Sequence, residues 1–387
     1  MTRSWIARTE VLERLGVKPQ TLYAYVSRGR ISARQDPADP RRSLYSADDV
    51  ARLSDRSLRA ARAPGAGPAS STGRPESVIE TSITTFTDGR LFYRGKDAVG
   101  LAETATLEQA ARLLWDADED PFADLKPRAD ISFPGGPRGR AFSCLSRRAE
   151  EDAATQGRSV RSLRREAAAV LNELVDAISG GGPRLYLHQR LARVWKLDEK
   201  DAQLIRRALV LCADTDAAAP TLAARTIASA GAPLAACALG GLAAMVGPGF
   251  GGRLTQVIGF VAEARRGADP RTVARQRLAQ GLQIPGFGHP LFPDGDPRAR
   301  ALIEAANLAE DARDLIRVGE GLTGEAPNLD MALALVGRQL DLPKDGLFAL
   351  VTVGRAAGWL AHALEQIATG SPIRARLRYV GPEPELG

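Results

Sequence analysis

The run Ile284-Pro-Gly-Phe-Gly-His-Pro-Leu-Phe-Pro-Asp-Gly-Asp-Pro-Arg298-Ala-Arg300 gathers prolines, glycines, one histidine and two arginines in a single stretch. Such a mixture suits neither a helix interior nor a strand interior. It suits a loop whose backbone comes close to a ligand while an imidazole and a guanidinium are held in place. The chain has only three histidines, which gives His289 weight. A lone histidine is more often structural, but the glycines before this one and Asp296-Pro-Arg298 after it point the other way. An imidazole can give or take a proton at a reacting oxygen, and a guanidinium fork grips carboxylates.

The elements that would carry this loop are helical. Of the 387 residues, 44% are hydrophobic, 25% charged and only 5% aromatic, a balance that suits a soluble globular chain of two or three domains. The three cysteines, Cys144, Cys212 and Cys237, are odd in number and unclustered, which argues against a disulfide framework or a zinc site and for a reducing cytoplasm. Residues 226–252 carry no charge, yet Pro233 and Pro248 interrupt them, so a buried helix is expected there rather than a membrane span. No signal-peptide-like core is read at the start of the chain.

The net charge of +6 is concentrated at one end. Residues 1–62 hold 13 Lys and Arg against 7 Asp and Glu, while the remainder holds 39 of each. Within this head, helical patterns before Gly16 and from Lys18 to Arg28 flank a glycine turn. Residues 31–45 suit a β-wing, and Ser46 caps a further short helix. The order Leu-Gly-Val, Thr-Leu-Tyr, Arg-Gly-Arg-Ile, Arg-Arg-Ser-Leu-Tyr, Asp-Asp-Val resembles the winged helix-turn-helix of the MerR and excisionase type. That resemblance implies DNA contacts from Lys18, Gln20, Thr21, Tyr23 and Arg28. Residues 63–77, rich in Gly, Pro and Ser, read as a flexible linker.

From Val78 the pattern changes. Thr81-Ser-Ile-Thr-Thr-Phe-Thr and Arg90-Leu-Phe-Tyr flank Asp88-Gly89 and predict a hairpin. A helix is expected from Thr106, residues 117–165 read as mostly loop, and helical patterns with Gly and Pro breaks run on to Thr369. His188 falls in one of these helices and reads as structural.

Three stretches resemble the citrate synthase family: Asp88-Gly-Arg-Leu-Phe-Tyr-Arg-Gly-Lys-Asp97 with its following helix, Pro285-Gly-Phe-Gly-His289 with Asp296-Pro-Arg298, and Gly354-Arg-Ala-Ala-Gly-Trp-Leu-Ala-His362 with Pro372-Ile-Arg374. The resemblance covers about residues 78–381 and implies a mainly all-α fold. A citrate synthase-like large subdomain would take residues 78–254 and 345–387, a small subdomain 255–344, with a short β-hairpin at the start and the winged helix-turn-helix domain of residues 1–62 before it.

On the same resemblance, Asp330 would be the catalytic base and His289 would polarise and protonate the oxaloacetate carbonyl. Arg298, Arg355 and Arg374 would clamp substrate carboxylates, Arg374 from a partner subunit, and Pro285, Gly286, Phe287 and Gly288 would approach CoA. Two positions depart from the family. Gly247-Pro-Gly-Phe250-Gly-Gly252 has phenylalanine where the family has the enol-stabilising histidine, and Ala213-Asp-Thr215 has threonine where the family has an oxaloacetate-binding histidine. Losing one oxyanion donor costs about 10²–10³ in rate.

Three functions follow. The chain would condense acetyl-CoA or another acyl-CoA with oxaloacetate or another dicarboxylate keto acid, as an acyltransferase of the tricarboxylic acid cycle type. Alternatively it would sense acyl-CoA or carboxylates and pass the signal to a DNA-binding head. The third alternative is a non-catalytic subunit pairing with an intact citrate synthase. A homodimer or heterodimer, no bound cofactor or metal, no membrane contact and a cytoplasmic location are expected throughout.

Overall fold

The structure is a computed structural model that describes residues 5–15, 22, 26, 31–36, 43–47, 49–50, 79–125, 133–180, 185–215, 218–265, 269–374 and 381. The expected DNA-contact residues Lys18, Gln20, Thr21, Tyr23 and Arg28 and the linker 63–77 lie outside these. The chain forms two compact units, Met1–Glu76 and Ser77–Gly387.

In the first unit, β1 (Trp5–Ala7) leads directly into α1 (Arg8–Leu15), and β2 (Ala33–Gln35) and β3 (Ser43–Ser46) follow. The strands form an antiparallel sheet in the order β1-β3-β2. Val11, Leu22, Ile31, Tyr45 and Val50 make a small core beneath it. Arg34 lays its guanidinium 4.4 Å from the Trp5 ring centroid.

The second unit opens with β4 (Thr84–Thr87) and β5 (Arg90–Tyr93), an antiparallel pair joined by Asp88 and Gly89 at φ of 50° and 70°. Two left-handed residues in a row are what a two-residue turn needs to match the strand twist. After β6 (Lys96–Asp97) the rest is helical: α2 (Ala98–Thr104), α3 (Leu107–Leu114), α4 (Pro137–Glu151), α5 (Val160–Ser179), α6 (Leu187–Val194), α7 (Glu199–Leu211), α8 (Ala219–Ser229), α9 (Leu234–Met245), α10 (Gly251–Arg265), α11 (Pro270–Ala279), α12 (Pro297–Ala306), α13 (Glu310–Thr323), α14 (Leu329–Gln339) and α15 (Gly346–Thr369). Helix α4 falls where the sequence reads as loop. Its buried face is narrow, being only Ala141, Cys144, Leu145 and Arg148, so its periodicity is faint among the arginines and serines around it.

Helix α15 is the spine. It is apolar along most of its length and largely buried by its neighbours, with Arg355, His362 and Gln366 as buried polar exceptions. Among the described residues one helix, α15 itself, is long and apolar enough to cross a membrane, but 83% of its most apolar window is buried within the unit, as in a core helix. The uncharged stretch 226–252 breaks into the end of α8, all of α9 and the start of α10. Glycine allows the closest approach in this core, since a Cβ at Gly241 of α9 would lie 2.5 Å from the Trp359 ring.

Candidate functional site

The loop before α12 is zipped to the segment that enters α14. Phe287 and Pro327 form an antiparallel bridge. Gly288 N–H donates to Ala326 O at 2.9 Å, Asn328 N–H donates to Gly286 O at 2.9 Å, and Asn328 Nδ2 donates to Gly288 O at 3.0 Å. Gly286 has φ +91°, and a Cβ there would lie 2.8 Å from Met331 Cε and 3.2 Å from Val257 Cγ1. Loop, α14 and α10 therefore converge at a point where only glycine fits. The Phe287 ring packs against Gly319 of α13 and anchors the loop. Of the loop's polar backbone groups, Gly286 O, Gly288 N–H and Gly288 O are thus already engaged.

Two helix starts meet beside this loop. Asp296 caps α12: its Oδ1 accepts from Arg298 N at 3.0 Å and Arg298 Nε at 3.0 Å. Its Oδ2 accepts from Arg298 Nη2 at 2.9 Å and from Leu329 N, the first residue of α14, at 3.1 Å. One buried carboxylate therefore ties α12 to α14. Asn328 caps α14, accepting from Asp330 N at 3.1 Å and Met331 N at 3.3 Å. Asp330 is thereby fixed in the first turn of α14.

The charges around these groups set their protonation. Asp330 is partly buried, and among the described residues its carboxylate has no hydrogen-bond partner. Burial raises its pKa above the usual carboxyl value, opposed first by Arg253 and then by Arg298. His289 is pulled down to about 4 by burial first and then by Arg298, with Asp296 working the other way. It is therefore neutral at pH 7. Leu291 N–H donates to its Nδ1 at 3.2 Å, so the ring proton belongs on Nε2, which is left as a donor. Arg298 is buried, and although burial alone would lower its pKa, Asp296 holds it above the ordinary value. Its guanidinium stacks 5.0 Å from the Phe292 ring centroid, and His289 packs on the same ring at 5.0 Å.

His289, Arg298 and Asp330 thus share one electrostatic neighbourhood, since Arg298 and Asp296 act on both His289 and Asp330. Arg355 sits deeper, on α15. Its Nη2 donates to Thr221 Oγ1 at 3.3 Å, and its Nη1 is 3.8 Å from Asp214 Oδ1. The buried Cys212 thiol, pushed up to about 12 by burial, feels both Arg298 and Arg355 and so links the two places. Arg374 is exposed in the segment after α15 and joins none of these contacts. Thr215 is partly buried next to Asp214, and Phe250 packs partly buried on the core just before α10.

Behind Arg355 lies a buried polar network that sequence reading missed. His362 Nε2 lies 3.1 Å from Asp214 Oδ2, and Arg225 Nε donates to His362 Nδ1 at 2.9 Å. With Nδ1 accepting, Nε2 must carry the proton and donate to Asp214. Thr84 Oγ1 also donates to Asp214, Arg225 pairs with Glu365, and Tyr93 Oη donates to Asp214 O at 3.1 Å. Burial would raise the Asp214 pKa, but His362, Arg355 and Thr84 together hold it low. Sequence reading also missed Asp296 as the link between helices, although Asp-Pro at a helix start is a legible cap. Arg253, on α10, carried no signal at all. Among the described residues no group of three or more His, Cys, Asp or Glu is placed to hold a metal ion.

Comparisons with known proteins show which family the chain resembles. Residues 140–376 match the family model described as "Citrate synthase, C-terminal domain". "Citrate synthase 2" of Bacillus subtilis (strain 168) is 30% identical over 195 residues, covering 48% of this chain and 52% of that protein. "Citrate synthase" of Corynebacterium glutamicum is 25% identical over 378 residues, covering 81% of this chain and 85% of that one. The alignment with several other curated relatives spans about half their length. Among solved structures, citrate synthase from Thermotoga maritima MSB8 superposes with a TM-score of 0.63 at 25% identity, covering 79% of this chain and 94% of that chain. With well over half of its length matched by the family model, and with a helical fold shared with solved members, this chain belongs to the citrate synthase family.

Proposed function

We propose that the chain condenses an acyl-CoA, acetyl-CoA being the first to test, with a dicarboxylate keto acid such as oxaloacetate. Asp330 removes a proton from the carbon next to the thioester, and the resulting carbanion attacks the ketone. The ketone oxygen is polarised by His289 Nε2 and takes up its proton, a proton returning to His289 through solvent as Asp330 gives up the one it removed. Water then attacks the thioester carbonyl, leaving a carboxylate and CoA as its thiol. A neutral imidazole is a suitable electrophile because it donates a hydrogen bond without placing a second cation beside Arg298. Burial raises the proton affinity of Asp330, and the two arginines keep its carboxylate form accessible. Arg298 offers its remaining Nη1 edge to a substrate carboxylate. At 3.8 Å the Arg355 Nη1 contact with Asp214 is too long for a hydrogen bond, so this edge is also available. Arg374 would reach the site of a second subunit in a dimer, and movement of residues 255–344 over the rest of the second unit would exclude water.

The observation that carries this reading is the joint anchoring of two distant groups. His289 and Asp330 are held in register by Asn328 and Asp296 through direct hydrogen bonds between the loop and the start of α14. Purified protein given acetyl-CoA and oxaloacetate should release free thiol, and Asp330→Asn should abolish it. Release no greater than that of the Asp330→Asn protein removes the enzymatic reading.

A second reading draws on charge. All of the excess positive charge lies in residues 1–62, so a head that binds DNA and answers to a ligand in the second unit is the alternative. Salt-dependent DNA retention lost on deleting residues 1–62 would favour it.

A further inference from the structure

Phe250 stands where the family resemblance places an imidazole, and a phenyl ring donates no hydrogen bond. Three residues further on, Arg253 lays its guanidinium 5.4 Å from the Phe250 ring centroid, and its N–H donates to Phe250 O at 2.9 Å. Both residues thus belong to the turn that opens α10. The direction in which Arg253 faces follows from Val257, one turn along the same face. Val257 is buried against Gly286 of the His289 loop, at the point where Met331, the neighbour of Asp330, also packs. Arg253 therefore stands on the side of α10 that looks toward His289 and Asp330. Among nearby charges it is the first to favour the Asp330 carboxylate, and it also acts on His289. Its side chain is exposed, and among the described residues it makes no ion pair or side-chain hydrogen bond, so its donors are free for a ligand.

We propose that Arg253 holds the thioester oxygen as the α-proton leaves, taking the place of the imidazole that Phe250 lacks. The inference rests on the condensation reading above. In this step the α-carbon–hydrogen bond breaks and the proton passes to the Asp330 carboxylate. The bonding pair forms the new carbon–carbon double bond, and the carbonyl π pair moves onto the thioester oxygen. Arg253 meets that negative oxygen with charge-assisted donors. A guanidinium stays protonated at any working pH, so it stabilises the charge without delivering a proton, and the intermediate is held as an enolate rather than an enol. The Phe250 face beneath the guanidinium limits its motion and keeps water from one side.

The test uses the full chain and two readouts: exchange of acetyl-CoA α-hydrogens in deuterated water, followed by mass spectrometry, and thiol release with oxaloacetate. Because Arg253 is exposed, its replacement should leave the fold intact, which circular dichroism checks. Arg253→Ala should lower exchange and kcat by about 10²-fold with little change in KM for acetyl-CoA, and Arg253→Lys should retain part of the rate. If Arg253→Ala stays within about threefold of the unaltered protein in both readouts, the inference fails while the enzymatic reading stands. A loss confined to KM also overturns it, because Arg253 would then be an anchor for CoA. If the unaltered protein shows neither exchange nor thiol release above Asp330→Asn, the enzymatic reading fails and takes this one with it.

Discussion

Asp296→Asn tests how the site is held together. The carboxylate is fully buried and accepts four hydrogen bonds, three from Arg298 and one from Leu329 N. An amide of the same shape retains one acceptor oxygen, and its NH2 group must face either Leu329 N–H and Arg298 Nη2, or Arg298 N–H and Nε–H. Either way donor meets donor, and the buried Arg298 loses its counter-charge. Breaking a buried pair by removing one partner costs about 3–5 kcal/mol. An orphaned backbone N–H by itself costs about 1–3 kcal/mol, and the two costs overlap because they share one group. The expected loss is therefore about 4 kcal/mol, a large fraction of the roughly 5–15 kcal/mol of a typical domain. Urea unfolding followed by tryptophan fluorescence reads it, since Trp115, Trp195 and Trp359 all lie in the second unit. A double variant, Asp296→Leu with Arg298→Met, removes both charges and should recover only the charge part of the loss, because the N–H groups of Arg298 and Leu329 stay without their acceptor. A fall of less than about 1 kcal/mol in Asp296→Asn would refute the claim that this carboxylate ties α12 to α14.

Two further outcomes follow from the same geometry. Gly286→Ala places a Cβ at a left-handed φ against Met331 and Val257, so it should cost about 1–3 kcal/mol in urea unfolding and lower thiol release, whereas Gly89→Ala, with strain but no close neighbour, should affect stability alone. His188 is buried, its Nδ1 has no partner, and burial pulls it down to about 4 from 6.5. Above pH 6.5 both folded and unfolded chains are neutral there. As pH falls toward about 4 the unfolded chain takes up the proton first, so stability should drop by on the order of 3 kcal/mol over that window. His188→Gln should flatten the acid limb of a Tm-versus-pH profile, and an unchanged limb would show that His188 does not titrate this way.

Much of the site is legible in the residue types alone. The glycines and prolines around His289 announced an irregular loop, because no regular element tolerates that composition. Asp296-Pro297 and Asn328 are local cap signals whose chemistry does not depend on distant residues, and both cap helices in the structure. Helix α4 was not legible, since a buried face of small residues and one arginine barely alters the periodicity. The resemblance marks Arg355 as a substrate clamp, and only the fold shows that Asp214, more than a hundred positions away, lies 3.8 Å from it.

Residue types and local spacing, then, determined which groups are capable of chemistry here: one imidazole, one carboxylate and a set of guanidiniums, each on a loop or helix start that composition alone marks out. Tertiary structure alone decided which charges face which. Arg253, Asp296 and Arg298 act on Asp330 because α10 and α14 meet at Gly286 and Asp296 ties α12 to α14, and Arg355 lies 3.8 Å from Asp214 because α15 packs closely enough to bring it there. Coulomb energies depend on separation in space and on burial, and neither is encoded in separation along the chain.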